Sequence, residues 1–308
     1  MERISSDQPI PAHLRGAIIA LGNFDGFHRG HQAVVGRAVE LARAQGHPAI
    51  VATFDPHPMR LFRPDAPFFR LTTLDQRERL FGEAGADAML VFHFTAELAS
   101  HSAEDFVAML ATELGAAGVV TGEDFTFGRG RSGNVTALRT LGAVHGLAAE
   151  AVAPVRDEQG EIISSSRVRE ALLAGDCATA TGLLTRPFAI AGEVIDGDKR
   201  GRTIGFPTAN MEMGHYLRPA YGIYAVRARL PDGRIVCGAA NLGIRPTFVP
   251  PRELLETYLF DFSGSLYGQT LEIALIERLR GERKFDSLDA LVEQMSADVV
   301  RARIILGA

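Results

Sequence analysis

Gly22-Asn23-Phe24-Asp25-Gly26-Phe27-His28-Arg29-Gly30-His31 follows the apolar run Ala17-Ile18-Ile19-Ala20-Leu21 and opens the amphipathic segment His31–Gln45. The order is strand, glycine-punctuated turn, helix. In an open α/β sheet that junction is where ligand binds. A helix N-terminus there offers unpaired N–H groups and a partial positive charge to a phosphate. His28 and His31 stand three apart across Gly30. Imidazoles so placed can donate to phosphate oxygens or carry charge as a pyrophosphate bond breaks. Gly22 and Gly26 let backbone approach a ligand closely, and Gly30 leaves room beside the rings. Gly22, Asn23, Phe24, Asp25, Gly26 and Gly30 therefore read as a nucleotide phosphate loop. The bland alternative is a coincidental turn, since a lone histidine is usually structural.

Outward from this stretch, apolar runs alternate with helix-period segments. Ala17–Leu21, Ala49–Phe54, Ala88–Phe92, Gly118–Thr121 and Leu147–Ala153 are expected strands. Between them His31–Gln45, Asp75–Glu83, Ala103–Leu114 and Val135–His145 are expected helices. The alternation predicts a parallel sheet with helices on both faces. Ser166–Ala174 and Ala178–Leu184 read as two short helices, and Thr185-Arg186-Pro187 as a linker. Beyond it come strand-like runs without intervening helices: Phe188–Ile195, Ile223–Leu230, Ile235–Asn241, Leu255–Phe262 and Leu271–Leu279. They predict an antiparallel barrel or sandwich. Ser287–Leu306 closes the chain as a helix with Ser287 as N-cap.

Composition narrows the function classes. The 308 residues exceed what one hydrophobic core usually serves, so two domains are expected. A net charge of −5 with no basic tract gives no footprint for nucleic acid. Cys177 and Cys237 form neither a disulfide framework nor a zinc site. No apolar run reaches the roughly 18 residues a membrane span requires, so a cytoplasmic protein is expected. Lys199 and Lys284 are the only lysines, and neither completes a Walker loop.

A second phosphate element is Gly160-Glu161-Ile162-Ile163-Ser164-Ser165-Ser166-Arg167-Val168-Arg169. Hydroxyls of Ser164 and Ser165 at a helix start, with Arg169 one turn inside, suit the forked hydrogen bonds of a triphosphate, although serine-rich N-caps are common. Gly128-Arg129-Gly130-Arg131-Ser132-Gly133 matches a dinucleotide fingerprint, with Glu150 near the expected acidic position. Five residues part it from its strand and it is not in the first strand–helix unit, so nicotinamide binding is set aside. A loop over the active site is the preferred reading. In the second half Gly197, Lys199 and Gly201 belong to a basic, glycine-rich loop able to wrap phosphates. Thr208 and Asn210 follow as neutral oxygen ligands suited to magnesium; an ordinary hairpin is the alternative. Glu256 lies in an apolar strand, Leu255–Phe262. It is either an outward charge or a base, and spacing does not decide.

Taken together these residues resemble the bacterial bifunctional riboflavin kinase/FAD synthetase family over nearly the whole chain. Carrying the resemblance are Gly22–His31, Thr53–Pro58, Gly122–Gly128, Ile163–Arg169, Gly197–Arg202, Pro207-Thr208-Ala209-Asn210, Pro219–Tyr224, Asn241–Phe248, Glu256, Leu266–Gly268 and Leu279–Phe285. It implies a Rossmann-like nucleotidyltransferase domain, residues 1–186. A small antiparallel β-barrel riboflavin kinase domain, residues 187–308, would follow and end in a helix. The barrel would phosphorylate riboflavin with ATP and Mg2+ to give FMN. Glu256 would be the base, with Thr208 and Asn210 at the metal. The first domain would transfer AMP from ATP to FMN, giving FAD and pyrophosphate. His28 and His31 would neutralise the triphosphate there, and Ser164, Ser165 and Arg169 would bind it from the other side. Asp124 and Arg280 would contact flavin. Expected partners are these small molecules, with no nucleic acid, no membrane, and self-association open. Two departures stand out: Thr185 precedes Arg186-Pro187 where the family usually has glycine, and Ser166 replaces threonine. The competing readings are a kinase with an inactive first domain and a flavin-binding regulator or carrier.

Overall fold

A computed structural model describes residues 1–197, 201, 204–245 and 252–308. They divide into two units, Met1–Pro67 with Thr73–Ser164 and Phe68–Thr72 with Ser165–Ala308. In the first unit the strands are β1 (Glu2–Ser5), β2 (Ile18–Leu21), β3 (Ala49–Asp55), β4 (Ala88–His93), β5 (Gly118–Gly122) and β6 (Ala148–Val152). All pair in parallel, in the order β1-β4-β3-β2-β5-β6. Because both faces are covered, these strands are continuous apolar runs rather than alternating ones. Alternate residues then feed two cores. Ile19, Leu21, Ile50 and Leu90 meet Phe106, Leu110 and Leu138 on one face, while Ile18, Ala20, Val51 and Met89 meet Val35, Val39 and Phe81 on the other. The helices on these faces are α1 (Arg29–Gln45), α3 (Leu74–Glu83), α5 (Ala103–Ala108) and α6 (Val135–Val144); the short α2 (Pro58–Phe62) and α4 (Ala96–Ser100) complete the unit.

Besides the short α2 and α4, which were not foreseen, three elements depart from the sequence reading. Strand β1 was not foreseen, because four residues with one buried side chain, Ile4, carry too little periodicity to be seen. Expected helix Ala103–Leu114 is α only to Ala108 and continues as a π-turn over Met109–Glu113. The third is a strand in the second unit, Thr208–Glu212. Its polar residues, preceded by glycine and proline, read as a loop.

The second unit begins with α7 (Ser165–Ala174) and α8 (Cys177–Leu184). Strands β7 (Phe188–Glu193), β8 (Thr208–Glu212), β9 (Gly222–Arg229), β10 (Ile235–Arg245), β11 (Arg252–Leu259) and β12 (Thr270–Arg280) form an antiparallel sheet ordered β7-β12-β9-β10-β11-β8. The sheet curls until its edges meet, the Ile195 N–H donating to the Asn210 carbonyl at 2.9 Å. Leu242, Leu255, Ile273 and Leu275 are fully buried on its inner face. Fully burying such a side chain contributes about 1.5–3 kcal/mol. On the outer face α9 (Leu288–Leu306) packs Ala302 and Leu306 against Ala225 and Ala239. Ser287 caps that helix as expected, accepting from the Ala290 N–H at 3.1 Å. Cys177 and Cys237 are free thiols, and burial, then the nearby Asp176, pushes the Cys177 thiol up to about 11.

Helix α8 ends on Thr185 at φ 64°, ψ 10°, the left-handed conformation that glycine adopts without strain. A β-branched residue there is strained by about 1–2 kcal/mol. This explains why glycine suits the position before Arg186-Pro187. Thr185→Gly is expected to stabilise the protein by about 0.5–1 kcal/mol after glycine's greater unfolded freedom is subtracted. A calorimetric Tm higher by about 1–3 °C is the outcome expected, and a lower Tm contradicts it.

Candidate active sites

The parallel sheet reverses its order at β2. The chain runs to β3 and β4 on one side, then returns to β5 and β6 on the other. The crevice of such a sheet lies at the carboxyl ends of the two strands flanking the reversal. Gly22–His28 follows β2 there, and Gly122-Glu123-Asp124 follows β5, with Asp124 exposed. Phe24 and Phe27 have left-handed φ values of 48° and 46°. Such backbone persists only when its surroundings hold it. Here both rings pack edge-on against Phe81, at 5.9 and 5.1 Å between centroids. The Asn23 carbonyl accepts from Thr53 Oγ1 at 2.8 Å and from Arg77 Nη1 at 3.3 Å. Arg77 Nη1 also donates to Thr53 Oγ1 at 2.8 Å. Thr53 and Arg77 are both buried. Neither stood out in the sequence as a support of this loop.

His28 is the N-cap of α1. Its Nδ1 accepts from the Gly30 and His31 N–H groups at 3.1 and 3.4 Å. Two N–H groups that a helix start would offer to phosphate are thus satisfied by imidazole, and the neutral ring carries its proton on Nε2. The His28 and His31 rings stack at 3.6 Å with 21° between planes. Gly30 permits this: a Cβ there would stand 3.1 Å from His28 Cε1 and 3.4 Å from the Ile163 carbonyl oxygen. The serine segment therefore starts beside the histidine pair, since Ile163 precedes Ser164. Ser165 is the first residue of α7, and Arg169, one turn on, donates from Nε to the Phe69 carbonyl at 2.9 Å.

The dinucleotide-like segment is otherwise engaged. Phe127 and Gly133 exchange backbone hydrogen bonds at 3.1 and 2.9 Å, closing Gly128–Ser132 into a small loop. Glu150 forks with Arg37 of α1 at 2.6 and 3.2 Å. No strand runs directly into a glycine turn and helix there.

On the barrel's outer face the register sets a row. Asn210 on β8 pairs with Glu256 on β11, and Glu256 pairs with Asn241 on β10. Residues directly opposite on antiparallel strands share a face, so Glu256 faces out, between two carboxamides. Asn210 is buried and its Nδ2 donates to the Thr208 carbonyl at 3.4 Å, which leaves Oδ1 as acceptor. Gly197 backs this amide closely; a Cβ there would collide with Nδ2. Lys199 lies outside the described residues, as do Arg200, Arg202 and Pro246–Phe248; Gly201 is described. Near the start of β11, Glu253 accepts from Arg218 Nε at 2.6 Å and from the Tyr221 hydroxyl. Burial alone would raise Glu253, yet the Tyr221 and Arg218 bonds hold it below the ordinary carboxylate range. Burial, then Glu253, pushes the Tyr221 phenol up to about 12. Arg280 is clamped to Asp298 of α9 at 2.7–3.0 Å.

The family profile described as FAD synthetase matches residues 10–167, and that of riboflavin kinase matches residues 184–306. The Escherichia coli K12 protein named bifunctional riboflavin kinase/FMN adenylyltransferase is 38% identical over 293 residues, 95% of this chain and 93% of that one. This chain belongs to the bifunctional riboflavin kinase/FMN adenylyltransferase family. The family's Pseudomonas fluorescens member is 40% identical over 297 residues, covering 96% of this chain and 94% of its own. A crystal structure named as a macrolide-efflux protein from Streptococcus pneumoniae superposes with a TM-score of 0.86 at 32% identity, covering 97% of each chain. Among the described residues no helix is long and apolar enough to cross a membrane. The histidine pair falls within the FAD synthetase match, and the Asn210–Glu256–Asn241 row within the riboflavin kinase match.

Proposed function

We propose that the chain makes FMN from riboflavin and ATP at the outer-face row, and FAD from FMN and ATP at the histidine loop. The observation that carries this is the register placing Glu256 between Asn210 and Asn241 in one half, joined to the stacked His28 and His31 rings at the start of α1, which His28 caps, in the other. In the kinase reaction Glu256 takes the proton of the terminal ribityl hydroxyl as the hydroxyl oxygen attacks the γ-phosphorus of ATP, whose bond to the β–γ bridging oxygen breaks to release ADP. Gly197, Lys199 and Gly201 line the phosphates. Thr208 and Asn210 suit Mg2+, because it prefers hard oxygen and needs only one or two protein ligands beside phosphate oxygens and water. Bound there, the ion would supply positive charge against the phosphates of ATP.

In the adenylyl transfer the FMN phosphate attacks the α-phosphorus and pyrophosphate leaves. Gly22, Asn23, Phe24, Asp25, Gly26 and Gly30 let the phosphates approach, and His28 and His31 stabilise the growing negative charge. Ser164, Ser165 and Arg169 hold the β- and γ-phosphates, and Asp124 contacts the flavin. Arg280, fixed on Asp298, sets the loop that follows it on the flavin side of the kinase. The functional division is placed at Arg186/Pro187, giving 1–186 and 187–308. The reactants are small molecules handled in the cytoplasm, without nucleic acid or membrane; self-association is left to solution measurement.

Riboflavin, ATP and Mg2+ are expected to yield FMN and then FAD on chromatographic analysis, and flavin bound without turnover would refute the reading. Asn210→Ala is expected to raise the Mg2+ concentration for half-maximal FMN formation about tenfold, the equivalent of one lost ligand worth about 1.4 kcal/mol. An unchanged Mg2+ titration would remove Asn210 from the metal site.

A further inference from the structure

The outer-face row has a direction. Thr208 and Asn210 flank Glu256 on one side, and Asn241 flanks it on the other. A base that deprotonates an attacking hydroxyl has the phosphoryl donor on one side and the body of the acceptor molecule on the other. With ion and phosphates on the Thr208–Asn210 side, the Asn241 side faces the acceptor.

Two hydrogen-bond acceptors occupy that side. Asn241 Oδ1 is sealed from solvent and has no hydrogen-bond partner among the described residues. Buried polar atoms are nearly always satisfied, and one that is not calls for an explanation. The second acceptor is Glu282. Gly243 lies two residues along β10, on the same face as Asn241, and the Glu282 carboxylate packs where its side chain would be: a Cβ there would collide with Oε1. Among the described residues the row supplies no matching donor beyond Asn241. Ile223, its register partner on β9, is apolar and partly buried. Arg280, next on β12, already holds Asp298.

We propose that Asn241 selects the polyol tail of the flavin, its Oδ1 accepting the O–H next to the reacting hydroxyl, with Glu282 accepting from one farther out. This rests on the reading of Glu256 as the base. A face lined with acceptors favours a chain of hydroxyl donors over an alkyl chain, and a site built to bond a hydroxyl discriminates strongly against its absence.

The test compares riboflavin with 4′-deoxyriboflavin in the full-length enzyme, using Asn241→Leu and Asn241→Asp. Tm and FAD formation from supplied FMN report on folding. Asn241→Leu is expected to lower kcat/KM for riboflavin about 10- to 50-fold and leave that for the deoxy compound unchanged. Equal losses on both substrates overturn the proposal. Asn241→Asp, which still accepts, is expected to keep the preference for riboflavin; a collapsed preference also overturns it. Failure of the base reading is seen separately, as undiminished turnover in Glu256→Gln, because the Asn241 comparison reads preference between substrates rather than rate.

Discussion

Glu256→Gln is expected to stop riboflavin phosphorylation while FAD formation from supplied FMN continues at the parent rate. The expected fall in kcat is about 10²–10⁴-fold, the usual contribution of a positioned general base. Glutamine has nearly the same shape, and the backbone pairing of Glu256 with Asn210 and Asn241 does not involve its side chain. What is lost is the capacity to take a proton from the attacking hydroxyl. The loss should lie in kcat, with KM for riboflavin little changed, because recognition of the flavin is left to its neighbours. Initial rates by chromatography, with each flavin supplied in turn, check both halves of the expectation. A kcat within about threefold of the parent would exclude the base role.

A pair of substitutions at His28 separates two tasks. His28→Ala removes the N-cap of α1 and with it about 1 kcal/mol of stability. It also removes the imidazole, and FAD formation is expected to fall about 10²–10³-fold, as when one stabilising donor is taken from a charge-developing site. His28→Asn restores the cap, asparagine being among the strongest N-cap residues. Its Tm should return to within about 1 °C of the parent, with FAD formation still low and FMN formation unaffected in both variants. If His28→Asn recovers FAD formation as well as stability, the histidine is a cap and nothing more.

Much of this was legible in the chain. The five foreseen strands of the parallel sheet stood out because sheets covered on both faces are written as unbroken apolar runs. The helices stood out through their periodicity, and in α9 through Ser287. What escaped was whatever depends on partners far along the chain. The outer face of β8 carries Thr208 and Asn210, which resemble turn residues until β11 is laid beside them. Likewise Asn241 looked like one residue of a longer motif, since only strand register makes it the neighbour of Glu256. The capping role of His28 was invisible for a different reason: histidine is not among the preferred N-cap residues, so the sequence suggested chemistry there and not the cap. Glu150, set aside in the sequence, is bonded to Arg37 of α1.

Placing Glu256 amounts to a parity check. On β11 even-numbered Glu256 faces out, and odd-numbered Leu255 and Thr257 are buried. A slip of one residue against β10 would thrust the carboxylate into the barrel and turn Leu255 to water, so the faulty alignment is penalised twice. Arg218 and Tyr221, holding Glu253, mark where the count begins. The barrel's hydrophobic interior thereby proofreads the candidate site, and a chain that has packed its core correctly has already aligned the Asn210–Glu256–Asn241 row.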